Sequence, residues 1–324
     1  MSTRFRTAFM LVALALAGAL LLPGAFAARA QEAASARYNL GVVTIEQPNY
    51  PADSRFRQMP VTLQGVVAVP EGDGPFPVAV VIHGSYPFCN AMANDTGDAD
   101  VYPCPTENDL HQYAGFTELA EALAARGYLT IVPDLSSEFN NGYGIADIGV
   151  RSRQIIQATL DELAAGADSR LGVAGKADLS RLVAVTHSRG GPLAERILSG
   201  TVGPAIPFQA LVMLTPMTPF VTDPALDENL PVALVVAACD GDVGVDEPRS
   251  FLPLLPATRP APVLFTTLPG ATHNAFSTQL GADPRQPCEA DQTLDAQAQR
   301  DFTARFVPDF FDTALAYQSM VDGR

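Results

Sequence analysis

Arg181-Leu182-Val183-Ala184-Val185-Thr186-His187-Ser188-Arg189-Gly190-Gly191-Pro192 is the stretch on which the fold turns. A short, branched apolar run, Arg181–Val185, has the composition of a buried strand. It passes without a linker into a serine followed by the glycine pair Gly190-Gly191, and the residues from Pro192 to Leu198 have helical spacing. A strand running straight into a helix through a serine turn presents the hydroxyl at a sheet edge. The usual form of this turn is G-x-S-x-G; here Thr186 replaces the first glycine, a bulkier residue where the following helix needs room.

Outward from that turn, strand-length apolar runs alternate with helical periods. Upstream, Tyr38–Ile45, Val61–Val69, Pro77–Ile82 and Leu129–Val132 read as strands, and Phe116–Arg126 and Val150–Ala164 as helices. Downstream, Ala210–Leu214, Val232–Ala238 and Val263–Leu268 read as strands, with a long last helix from Leu294 to Tyr317. This alternation predicts an α/β fold: a mostly parallel central sheet with helices on both faces. The segment from Thr215 to Leu230 is too short for an elaborate lid, so a single domain over 31–324 with an open site is expected.

A serine hydroxyl needs a base, and the base needs an acid to fix its tautomer. With chain order serine, acid, histidine, the four histidines reduce to one. His83 ends a strand far upstream and is read as structural, His111 lies in a polar stretch, and His187 adjoins the serine on a sharp turn. His273 follows the last strand and is the candidate base. The acid is expected in Cys239-Asp240-Gly241-Asp242-Val243, with Asp240 first, Asp242 as the alternative and Asp246 behind both. Oxyanion donors are expected from the backbone N–H of Arg189 and of Ser85, with Tyr86 as the alternative to Ser85. Tyr86 and Phe88 would either wall the substrate pocket or pack under the adjoining loop.

The HSRGG turn, the His83-Gly84 turn and His273-Asn274 occur in the order and context that resemble the α/β-hydrolase superfamily over essentially the whole mature length. The HSRGG form is similar to chlorophyllase-like hydrolases, and the lidless layout to cutinase-like and platelet-activating-factor-acetylhydrolase-like esterases. The resemblance implies Ser188, Asp240 and His273 as a triad, with Ser85 and Arg189 as oxyanion donors. It implies carboxylic-ester hydrolysis through an acyl-serine, with no cofactor or metal. Amide or peptide hydrolysis by the same triad and a non-catalytic binding protein are the alternatives. A serine nucleophile argues against dehalogenase, epoxide hydrolase and dienelactone hydrolase chemistry.

Composition bounds the partners. Of 324 residues, 48% are hydrophobic, which excludes a disordered chain. The net charge is −15 and Lys176 is the only lysine, so nucleic acid is not an expected partner. Arg4 and Arg6, the apolar run Ala8–Leu22, and small residues at Ala25, Ala27, Ala28 and Ala30 read as a signal peptide over 1–30, cut after Ala27 or Ala30. That reading predicts a secreted or periplasmic protein without stable membrane insertion. In an oxidising compartment the four cysteines are expected to pair as Cys89–Cys104 and Cys239–Cys288. Two acidic sets, Asn94/Asp95/Asp98/Asp100 and Asp240/Asp242/Asp246, have calcium-like spacing, but neither completes a ligand set.

Overall fold

The computed structural model describes residues 34–54, 57–89, 104, 108–139, 148–217, 229–255, 258–321 and 323. The expected signal peptide, the Asn94–Asp100 acidic set and most of the segment from Thr215 to Leu230 lie outside them. The strands are β1 (Ser35–Glu46), β2 (Gln58–Ala68), β3 (Phe76–Ile82), β4 (Leu129–Pro133), β5 (Ala177–His187), β6 (Phe208–Leu214), β7 (Val232–Ala237) and β8 (Val263–Leu268). They form one sheet in the order β1-β2-β4-β3-β5-β6-β7-β8. The first two pairings, β1 with β2 and β2 with β4, are antiparallel; the rest are parallel.

The period-2 rule of strands explains the two cores. Along β3, Val78, Val80 and Ile82 point to one face, and Ala79 and Val81 to the other. The first face packs against α2 (Val150–Ala164) and α3 (Gly190–Leu198), through Ile155, Ile156, Leu193 and Ile197. The second packs against α1 (Thr117–Ala125) and α5 (Ala296–Val321), through Leu119, Leu123, Val307 and Phe311. A short helix, α4 (Asp246–Arg249), follows β7 and has no apolar period to announce it. Because both faces are covered, the central strands are continuous apolar runs rather than alternating ones.

The strand ends differ from the sequence reading where polar residues join the ladder. β5 begins at Ala177 rather than Arg181, because Ala177 and Asp178 pair with Phe76 and Pro77. Its outer half is partly exposed, so no apolar signal marks it. Helix α5 starts at Ala296 and runs four residues beyond Tyr317, through a buried Pro308. Both expected disulfides form, Cys89–Cys104 and Cys239–Cys288, each with a Cα–Cα separation of 5.5 Å. No helix among the described residues is long and apolar enough to cross a membrane.

Candidate active site

The parallel strands β3, β5, β6, β7 and β8 deliver their carboxyl ends to one edge of the sheet, and the candidate residues sit just beyond them. Ser188 follows β5 directly with φ +54°, a left-handed conformation that a side chain rarely adopts. The bend is held by neighbours: Ser188 N–H donates to Leu214 O at 3.1 Å, and Ser188 O accepts from Gly191 and Met217 N–H. Two glycines make the crowding tolerable. A Cβ on Gly84 would lie 2.7 Å from Ser188 Cβ and 3.2 Å from its Oγ; one on Gly190 would lie 2.1 Å from Ile82 O. The small-residue requirement therefore falls on Gly84 and Gly190, while Thr186 fits at the buried end of the strand. Its hydroxyl is buried without a hydrogen-bond partner among the described residues.

Asp240 comes three residues after β7. Its Oδ1 accepts from the N–H groups of Asp242 and Val243, both at 2.8 Å. Its Oδ2 accepts from Thr215 Oγ1 and from His273 Nδ1, the latter at 2.8 Å. Burial alone raises this carboxyl's pKa. The His273 hydrogen bond and charge, the Thr215 hydroxyl and the Val243 N–H outweigh burial and hold it far below the usual carboxylate range. The balance favours the Asp240 anion.

His273 lies in the turn after β8, 1% exposed. Because a carboxylate only accepts, its Nδ1 carries the proton, leaving the Nε2 lone pair in the neutral ring. That nitrogen is buried and makes no hydrogen bond among the described residues, Ser188 Oγ included. Asp242 stands on the opposite side of the ring from Asp240: its Oδ2 is 3.6 Å from Nε2, and its Oδ1 is paired with Arg285 at 2.7 Å. The His273 turn is gripped from α5, where buried Gln299 bonds both N–H and C=O of Thr272, at 3.0 and 2.9 Å.

The remaining candidates surround Ser188. Arg189 caps α3 and its side chain is exposed. The N–H of a residue at that position stands outside the helical ladder. Ser85 follows Gly84, half-buried. Tyr86 is also half-buried, with its hydroxyl bonded to His187 Nδ1, and Phe88 is buried. His83 is structural: Nδ1–H donates to Gly84 O and Nε2 accepts from Leu135 N–H, both at 2.8 Å. Burial lowers its pKa. Sequence reading set His187 aside as the serine's neighbour and did not single out Thr215 or Gln299, because each bonds a group far away in the chain. Thr215 carries one local signal in the structure, a β-branched residue at φ +42°.

The site and sheet together define the class: the chain has the α/β-hydrolase fold. No family model matches it, and no curated protein does. Among solved structures it is similar to one of two fungal esterases from Rhizomucor miehei, with TM-score 0.53 and 15% identity over 88% of this chain and 86% of that one. It is also similar to the propionate-bound esterase Est2 of the planctomycete Thermogutta terrifontis, with TM-score 0.52 and 15% identity over 88% and 95%. The same enzyme phosphoramylated by tabun gives TM-score 0.51 and 14% identity over 84% and 94%. Likeness at this identity speaks for the fold.

Proposed function

We propose that this chain is an exported serine hydrolase that cleaves carboxylic esters through an acyl-serine intermediate. The observation that carries the reading is the hydrogen bond from His273 Nδ1 to Asp240 Oδ2 at 2.8 Å. A carboxylate only accepts, so it fixes the proton on Nδ1 and makes Nε2 the basic nitrogen of the neutral ring, beyond the strand whose elbow carries Ser188. Nε2 takes the Ser188 proton as Oγ attacks the ester carbonyl. The oxyanion so formed is held by the N–H groups of Ser85 and Arg189. The imidazolium then protonates the alkoxide of the leaving alcohol as the C–O bond breaks. A water gives a proton to Nε2 as it attacks the acyl-serine carbonyl, and the imidazolium returns that proton to Ser188 Oγ as the acyl C–O bond breaks and the carboxylic acid leaves. Nε2 makes no hydrogen bond among the described residues; the Ser188 Oγ–His273 Nε2 hydrogen bond belongs to the substrate complex, as apo catalytic hydrogen bonds often tighten on binding.

The fold-level likeness to esterases supports the choice of ester over other acyl donors. The two disulfides support export through an oxidising compartment, with 1–30 as the leader and 31–324 as the single working domain. The test is hydrolysis of p-nitrophenyl esters of graded acyl length by the purified chain and by Ser188→Ala. Ester turnover lost in Ser188→Ala is the expected result; equal turnover by both refutes the reading.

A further inference from the structure

Behind the reacting groups lies a second imidazole that the proton transfers do not use. His187 ends β5, fully buried, with its ring packed against those of His273, Phe276 and Phe116 at centroid distances of 4.8, 5.6 and 5.8 Å. Its Nε2 lies 2.9 Å from the backbone oxygen of His273, and its Nδ1 is bonded to the Tyr86 hydroxyl. A carbonyl oxygen only accepts, so Nε2 carries the proton. In the neutral ring Nδ1 is then an acceptor, and the Tyr86 O–H donates to it. Burial first, then the neighbouring His273, pushes the His187 pKa well below its ordinary value. The ring thus stays neutral, and the two partners select one tautomer.

We infer that His187 is a positioning residue for ester hydrolysis: its single neutral tautomer ties the Tyr86 turn and the His273 backbone to the nucleophile elbow. The inference rests on the hydrolase reading above. Its physical ground is that oxyanion donor, nucleophile and base come from three separate loops. Tyr86 and His273 are 101 and 86 residues from His187 in sequence. Productive geometry tolerates only about 0.5 Å of drift, and loops hold position less well than strands. His187 stands on the end of a central strand and reaches both neighbouring loops at once. Removing its ring nitrogens leaves the His273 carbonyl and the Tyr86 hydroxyl without these partners in a buried setting.

The test is steady-state hydrolysis of a p-nitrophenyl ester by the full chain, His187→Leu, His187→Gln, Tyr86→Phe and the His187→Leu/Tyr86→Phe double variant, with thermal unfolding of each. His187→Leu is expected to lower kcat by ~10- to 100-fold, the scale of a misplacement near 1 Å. KM should stay within about twofold, because a transition-state contact is what is disturbed. His187→Gln, whose amide N–H reaches the same carbonyl, should recover most of that loss. The double variant should lose no more than His187→Leu, since both changes break one network. A folded His187→Leu with parental kcat, a loss confined to KM, or a folded His187→Gln as impaired as His187→Leu overturns the inference. If the leucine variant does not fold, Tyr86→Phe decides: a several-fold fall in kcat at steady KM supports the network, and a rise in KM alone moves the hydroxyl to the substrate and overturns it. A parent chain that turns over no ester refutes the hydrolase reading itself, which differs from an active parent with an equally active His187→Leu.

Discussion

Asp240 and Asp242 are separated by one residue and face opposite edges of the same imidazole. Asp240 lies behind Nδ1, saturated with hydrogen bonds and 5% exposed; Asp242 lies in front of Nε2, paired with Arg285 at the surface. Only the first can fix the tautomer that leaves Nε2 basic. Asp240→Asn is therefore expected to lower kcat by about 10³- to 10⁴-fold, because an amide can select the wrong tautomer. Asp242→Asn is expected to change it by less than about tenfold, since a half-exposed ion pair contributes little. Side-by-side kcat values on one ester check this, and a larger loss in Asp242→Asn exchanges the two roles. At this scale the chain order of Ser188, Asp240 and His273 was readable, because each follows a strand in a motif a few residues long. Between the two aspartates the sequence ranked Asp240 first, for its place directly after the strand with a glycine behind it, but left Asp242 open, because the choice depends on which carboxylate the Cys239–Val243 turn folds inward. Asp240 turns in because the N–H groups of Asp242 and Val243 converge on its Oδ1.

Helix α5 acts on the site through one amide. Gln299 is wholly buried and bonds both backbone groups of Thr272, immediately before His273, as a neighbouring strand would. Gln299→Leu strands both groups, so a loss of about 1–3 kcal/mol in unfolding free energy is expected. A lower kcat should accompany it as the His273 turn loosens. Denaturant titration together with ester kinetics measures both, and unchanged values in both remove the helix from the site's support. Gln299 was illegible because a polar residue on an amphipathic helix ordinarily reads as solvent-facing. The strand order of the sheet was legible only as a class. Alternating runs specify a parallel α/β sheet, but the antiparallel placement of β1 and β2 depends on cross-strand partners such as Val43 with Val61.

Over the whole molecule, buried titratable groups set opposite limits on pH stability. His83 and His187 are both held below the ordinary histidine pKa. The unfolded chain then binds protons that the folded one refuses, so stability falls as pH drops below about 6.5. Asp240, held far below its usual value, adds a second loss on further acidification. Glu195 on α3 works the other way: burial raises its pKa to about 8, and its Oε2 has no partner among the described residues. Its unfolded carboxyl ionises near 4.5, so stability declines as pH rises from there towards 8. Glu195→Gln should relieve this, with a gain on the order of 1–3 kcal/mol at pH 8 and little at pH 4. Denaturant unfolding across that range checks it; an equal gain at both pH values assigns the effect to packing instead.

Ser188 as the acceptor of the acyl group is the claim beneath all of these. The most direct measurement is peptide mass mapping of the chain after reaction with a fluorophosphonate, which bonds preferentially to an activated serine. One adduct, on the peptide bearing Ser188, that is absent in Ser188→Ala and strongly slowed in Asp240→Asn, is the expected result. An unreactive chain, or an adduct on any other residue, contradicts it.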